Sequence, residues 1–390
     1  MIKVLHVRNC RGITTLTGPE TYLLDLLAGF DGERVDARLA CVVDPAKSSP
    51  LFLEEARRRG IRVEPVEISS PLDLKDFSLV RELVRRYNIE LVHTHDARSD
   101  AVGSLAARSL GVPVVAFAHG WLNWDSPFSK ERLYAAVESF FVGRADEVIC
   151  ASRDMERDLM ERGVPRERIH YIPYGIDLSR FDRGDDGGEV RAELGVPSDA
   201  PLVGTVGRMH PWKGHRHFIE AAARVVGTFP QARFLIVGDA AFDGHLRYRD
   251  ELRAMIERLG LTERVILTGS RPDIPRIMRA LDLFVLPSLR EPFGIVSIEA
   301  QACATPVVGS RVDGIPETME EGVTGLLVEP GDSVELAEAV ERLLSHRERL
   351  GEMGEAGRSY VRRRFGVERM VAETERLYRK MLRGTLSAEG

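Results

Sequence analysis

Short runs of consecutive apolar residues alternate along this chain with stretches whose apolar positions recur every three or four residues. The first run, Ile2 to Val7, reads as a buried strand, and a polar, glycine-containing stretch, RNCRGITTLTGPE, follows it. From Thr21 to Phe30 the residues Tyr22, Leu23, Leu26, Leu27 and Phe30 fall at helical spacing. The alternation predicts further strands at Ala37–Val43, Arg62–Ile68, Leu91–His95, Val114–Ala118, Glu147–Ala151 and Ile169–Ile172. Helices are predicted at Leu51–Arg59, Phe77–Tyr87 and Ala97–Ser109. Residues 178–200, rich in Asp, Gly and Pro, break the rhythm and read as a linker.

The rhythm then restarts. Strands are expected at Leu202–Val206, Arg233–Val237, Val265–Thr268, Leu283–Pro287 and Pro306–Gly309. Helices are expected at His215–Thr228, Tyr248–Leu259, Ile274–Ala280 and Ile295–Ala304, and the tail from Ser333 to Gly390 is helical in pattern. Buried apolar strands alternating with amphipathic helices make an α/β protein with parallel sheets. The expected organisation is two Rossmann-like domains, 1–178 and 179–365, with a C-terminal helix, 366–390, returning toward the first. In such sheets ligands sit at the carboxyl ends of strands, so a site is expected in a cleft between the two.

Composition changes this picture little. A chain of 390 residues, 44% apolar and 29% charged, is ordinary for a soluble globular protein and excludes extended disorder. Its 54 basic and 60 acidic residues, net −6, argue against a nucleic-acid partner. Cys10, Cys41, Cys150 and Cys303 are scattered without a CxxC pair, which disfavours a zinc site and fits a reducing cytoplasm. No signal-peptide core and no run of about 18 apolar residues is present.

Candidate chemistry concentrates in the second half. VGRMHPWKGH, 206–215, ends a strand and precedes a helix; Gly207 allows a tight turn, and Arg208 and Lys213 could hold a diphosphate. Taken alone, two such cations are often just solvated surface charge. Neither a Walker motif nor GxGxxG occurs. PSLREPFGIVSIEAQA, 287–302, is the strongest feature. Pro292 suits a helix start, Gly294 lets a ligand approach the backbone, and the N–H groups of Gly294, Ile295 and Val296 can donate to it. Glu291 lies at the loop mouth, and Glu299, inside the helix, suits the paired hydroxyls of a ribose.

The segments GRxxxxKG, LPSxxEPFGxxxxEA and PVVGSxxxGIPE resemble the retaining, nucleotide-sugar-dependent glycosyltransferases of family 4, which have the GT-B fold. ELVHTHD at 90–96, AHGW at 118–121, ADEVICAS at 145–152, YIPYGID at 171–177 and GVTGLLVEPGD at 322–332 extend the likeness along the chain. The resemblance implies a UDP- or GDP-sugar donor and no cofactor. Arg208 and Lys213 would stabilise the leaving diphosphate, and Glu291 with the Phe293–Gly294 backbone would hold the transferred sugar. Ser270 and Arg271 would border the base, Gly18 would approach the phosphates, and His119 would contact the donor sugar. Front-side attack, retaining the anomeric configuration, also comes from the resemblance. Two departures stand out: Pro19 follows Gly18 where a Gly-Gly pair is common, and Tyr174 stands where Asn is common.

His93 and His95 alternate on one strand face in a metal-like way, yet read better as strand-end residues lining the cleft, with His95 facing the acceptor. No Asp-x-Asp occurs, so no metal is expected. Trp121 and Trp124, in an aromatic loop with Leu122, Pro127 and Phe128, read either as a loop clamped to the core or as an acceptor wall. Arg57, Arg58, Arg59, Arg85 and Arg86 leave peripheral contact with the inner membrane face open. The acceptor is expected to be a glycan, a lipid-linked saccharide or a small molecule. Rival readings are a nucleotide-sugar epimerase or hydrolase on the same fold, and a catalytically silent, sugar-nucleotide-binding scaffold.

Overall fold

The computed structural model describes residues 1–10, 16–44, 51–68, 75–120, 130–182, 187–240 and 243–386. The chain divides into two units: Met1–Gly175 with Val367–Gly390, and Ile176–Gly366.

The first unit holds a parallel sheet of β1 (Ile2–Asn9), β2 (Val35–Val43), β3 (Arg62–Glu67), β4 (Leu91–Thr94), β5 (Val114–Ala118), β6 (Glu147–Cys150) and β7 (Ile169–Tyr171). Its order is β3-β2-β1-β4-β5-β6-β7. β5, a continuous apolar run, is buried along its whole length, as it must be when helices cover both faces, and β4 is equally buried although it carries His93 and Thr94. The chain order reverses between β1 and β4, where Val4 pairs with Leu91 and Val7 with Thr94. In doubly wound sheets the loops leaving two such strands run in opposite directions, which is where a ligand site is looked for. Asp96, right after β4, caps the helix Ala97–Arg108 by accepting from the Arg98 and Ser99 amides at 3.1 and 3.0 Å. The last helix, Val367–Leu386, lies against Gly18–Gly29, where a Cβ on Gly29 would overlap the Val371 side chain.

The second unit repeats the plan with β8 (Leu202–Val206), β9 (Arg233–Val237), β10 (Val265–Gly269), β11 (Leu283–Leu286), β12 (Val307–Ser310) and β13 (Gly325–Val328). The order is β10-β9-β8-β11-β12-β13, so the reversal falls between β8 and β11. Those are the strands that carry the two strongest motifs. One core, including Phe218, Phe234 and Leu336, and another, including Leu235, Phe284 and Ile315, are built on this sheet.

One expectation needs correction, and two elements had none. The supposed linker, 178–200, is built into the second unit: it contains the helices Ser179–Asp182 and Gly188–Glu193, and Val190 is fully buried. Arg191 anchors it, donating to the carbonyls of Ala280 and Ala200 at 2.8 and 3.0 Å and to Asp282 at 2.6 Å. Its Asp and Gly content masked the apolar anchors Val190 and Val196. The helix Lys130–Val142 and the four-residue strand β13 were not anticipated; β13 is too short to show a period. Among the described residues no helix is long and apolar enough to cross a membrane.

Two glycines in the helix Arg347–Arg364 test this packing with opposite signs. Gly351 faces open space, whereas a Cβ on Gly354 would overlap the Ala304 carbonyl. Gly351→Ala is expected to stabilise the protein by up to about 1 kcal/mol through helix propensity. Gly354→Ala is expected to destabilise it despite the same propensity gain. Denaturant titrations of both variants check this; a stabilised Gly354→Ala would show that the helix does not sit tightly on residue 304.

Candidate active site

The loop after β8 is fixed by backbone contacts. Gly207 N–H donates to the Val237 carbonyl at 2.9 Å. The His210 side chain accepts from Trp212 N–H at 3.2 Å and caps the short turn Pro211–Lys213. Gly214 then takes φ +67°, and a Cβ there would collide with the Pro287 carbonyl oxygen beyond β11. Only glycine satisfies both the dihedral and the approach. Two residues to either side of that contact, Leu289 N–H donates to the Trp212 carbonyl at 2.6 Å.

This seam puts Lys213 Nζ 2.5 Å from Glu291 Oε2, and Ser288 Oγ donates to the same oxygen at 3.1 Å. Arg208 is exposed, and no carboxylate pairs with it among the described residues. Gly294, at φ +96°, opens the helix Ile295–Ala302, whose leading amides have no side-chain cap among the described residues. Phe293 is buried and meets Phe365 edge-on at 5.7 Å. Glu299 is nearly buried, one turn beyond Ile295. Arg208, Lys213, Glu291, Gly294, Ile295, Val296 and Glu299 thus lie on the loops and helix that follow β8 and β11. Ser270 is exposed at the end of β10. Arg271 beside it is forked onto Asp273, at 2.8 and 2.7 Å, and onto Glu193.

In the first unit His119 directly follows β5. Its Nδ1 lies 2.7 Å from the Tyr174 hydroxyl, and its ring stacks on Phe117 with centroids 4.2 Å apart. Burial holds this imidazole neutral, its pKa well below the usual range. Its Nε2 has no partner among the described residues. Tyr174, a departure from the family pattern, thus orients the histidine. Gly18 opens the helix Gly18–Gly29, where Pro19 costs no helical hydrogen bond, and Thr17 N–H donates to Glu20 at 3.0 Å. Glu20 also pairs with Arg8, whose Nη1 donates to the His95 carbonyl at 2.6 Å. Trp121 and Trp124 lie outside the described residues.

His95 faces inward rather than toward an acceptor: it is 1% exposed. His6, opposite His93 in the β1–β4 register, lies with its Nδ1 3.0 Å from His95 Nε2. Their rings are within 10° of parallel with centroids 5.3 Å apart, the geometry of an in-plane hydrogen bond. His93 Nδ1 meets the Tyr378 hydroxyl at 2.6 Å, and that hydroxyl lies 3.4 Å from His6 Nε2. Ligand atoms of the three histidines fall within 4.8 Å of one another, close enough for a shared cation. The 3.0 Å separation of His6 Nδ1 and His95 Nε2 also suits an N–H···N hydrogen bond between neutral imidazoles. Sequence reasoning missed His6, Arg8 and Tyr378, because nothing local reports which residues face one another across β1, β4 and the last helix.

Burial pushes His6 down to about 3, from an ordinary value of 6.5. A base with a depressed folded pKa gives stability that is fully present above 6.5 and is lost as pH falls from there toward about 3. Wild type should therefore lose up to about 1.4 kcal/mol more per pH unit than His6→Gln between about pH 6 and 4. Urea titrations of both proteins at stepped pH measure the difference; parallel slopes would refute a buried neutral His6.

Residues 187–360 match the family model described as glycosyl transferases group 1, and residues 17–175 match a glycosyl transferase 4-like domain. The chain is 33% identical over 338 residues to a D-inositol 3-phosphate glycosyltransferase of Segniliparus rotundus, covering 83% of this chain and 74% of that protein. It is 28% identical over 390 residues to an Escherichia coli UDP-Gal:alpha-D-GlcNAc-diphosphoundecaprenol alpha-1,3-galactosyltransferase, covering 98% and 97%. Among solved structures, Anabaena HepE in complex with UDP-glucose superposes with a TM-score of 0.83 at 28% identity, over 100% of both chains.

Proposed function

Because the chain belongs to the group 1 glycosyltransferases with the GT-B fold, we propose that it moves a sugar from a UDP-sugar to an acceptor hydroxyl, with retention and without a metal. The observation that carries this reading is the Lys213–Glu291 pair, 2.5 Å apart, beside an uncapped helix N-terminus and the exposed Arg208. Cations and oriented amides offset the charge that develops on a departing diphosphate, the work a divalent ion otherwise does. In this reading Glu299 takes the ribose hydroxyls, Ser270 and Arg271 border the base, and Gly18 approaches the phosphates. Glu291 and the Phe293–Gly294 backbone grip the transferred sugar, and His119, held by Tyr174, contacts it.

The bond between the anomeric carbon and the diphosphate oxygen breaks as the acceptor oxygen bonds to the same face of that carbon. The acceptor's proton passes to the departing phosphate oxygen, so no protein carboxylate acts as nucleophile. UDP is favoured by the HepE complex with UDP-glucose and by the UDP-Gal specificity in the name of the Escherichia coli relative. The same relative's diphosphoundecaprenol acceptor supports a lipid-linked saccharide and contact with a membrane surface. Residues Trp121 and Trp124 would then belong to the acceptor side.

A thermal-shift panel of UDP, GDP, ADP and their common sugars, without metal and then with magnesium, tests the proposal. A ligand at about 100 times its Kd contributes roughly 2.7 kcal/mol of stability. The expected result is a shift by uridine nucleotides that is unchanged by magnesium and lost in Glu299→Ala. No shift from any nucleotide would sink the transferase reading; a shift that requires magnesium would sink its metal independence.

A further inference from the structure

Asp313 is one of the three non-glycine residues with positive φ among those described, at +45°. A side chain held in the left-handed region costs free energy, and such a conformation persists only where its surroundings enforce it. Asp313 sits in the turn after β12, and what enforces its conformation is the loop bearing Glu291. Its Oδ2 accepts from Glu291 N–H at 2.7 Å and from Arg290 Nε at 3.1 Å. The next residue, Gly314, donates its N–H to the Glu291 carbonyl at 3.1 Å. A Cβ on Gly314 would overlap the Pro292 carbonyl, so the two turns touch backbone to backbone.

The Glu291 residue is thus gripped at both ends, its N–H by a carboxylate and its C=O by an amide. Its side chain leaves from between these grips to reach Lys213 and Ser288. With only two soft dihedrals per residue, bonds on both sides fix the direction in which the Glu291 side chain leaves the backbone, and Lys213 and Ser288 hold its carboxylate. We propose that Asp313 is a positioning residue that presets Glu291 for the hydroxyls of the transferred sugar, and that its left-handed backbone is the cost of that placement. The role rests on the donor-sugar reading of Glu291 given above. Asp313 touches no substrate in this scheme; it acts through the Glu291 peptide.

Two substitutions separate the carboxylate from the backbone. Asp313→Gly removes the acceptor while relieving the left-handed strain, and Asp313→Asn keeps an oxygen acceptor on a residue that tolerates that conformation. The readouts are Kd for UDP and for UDP-glucose by calorimetry, and hydrogen exchange at the Glu291 amide. In Asp313→Gly the melting temperature should equal or exceed that of wild type. Its UDP affinity should stay within about twofold, while UDP-glucose binding weakens about tenfold, the scale of one charge-assisted hydrogen bond. The Glu291 amide should exchange faster, and Asp313→Asn should restore both properties to within about threefold. Unchanged UDP-glucose affinity in Asp313→Gly, or equal losses for UDP and UDP-glucose, would overturn the proposal. If wild type bound neither nucleotide, the transferase reading would fall with the assigned role of Glu291. Unchanged exchange at the Glu291 amide would by itself refute the grip.

Discussion

Gly214 lies so close to the Pro287 carbonyl that no side chain fits between them, and the chemistry of the second unit depends on that approach. β8 and β11 are neighbours at the point where the sheet reverses its winding, so their loops would otherwise part. Backbone contact and the bond from Leu289 to Trp212 close the gap. Lys213 and Glu291, 78 residues apart in sequence, become partners because of it. A larger residue at 214 would separate the cation from the carboxylate, leaving each partly desolvated without its counter-charge.

That pairing sets the electrostatics of the loop cluster. Lys213 and Glu291 cancel at short range, and the uncompensated positive charge is carried by Arg208 and by the amides opening the helix Ile295–Ala302. On the donor reading proposed above, an arriving diphosphate would meet one exposed guanidinium and a set of fixed dipoles, and would compete with Glu291 for the ammonium. The carboxylate would then gain hydrogen-bonding capacity as the ammonium turned to the newcomer, and a neutral polyol beside the anion would be the natural recipient of that capacity.

Much of this was legible in the residues. Parallel strands buried on both faces announce themselves as apolar runs, and the GRMHPWKG and EPFGIVSIE segments lie at the two strand ends where a doubly wound sheet opens. What stayed hidden depends on register or on cross-chain packing. His6 reads as one polar residue in an apolar strand until β1 is laid beside β4. Asp313 looks like any loop acid in GSRVDGIPE until its backbone sign and its grip on Glu291 are seen. Tyr174 reads as a deviation, whereas its hydroxyl supports His119. In the segment 178–200, composition outweighed two valines that anchor it.

The contacts of Tyr378 with the sheet histidines have a consequence of their own. His93, Tyr378, His6 and His95 form a line of hydrogen bonds, and a neutral imidazole that receives a proton on one side offers one on the other. The line therefore has a sense: read one way it leaves a lone pair on His93 Nε2 and an N–H on His95 Nδ1, and read the other way it exchanges them. Those are the two nitrogens of the line that find no partner among the described residues. Reversal would switch all three tautomers at once, with the phenol as the pivot. A tyrosine on the last helix, 285 residues beyond His93, thus lies in the relay that sets which of His93 and His95 presents the donor and which the acceptor.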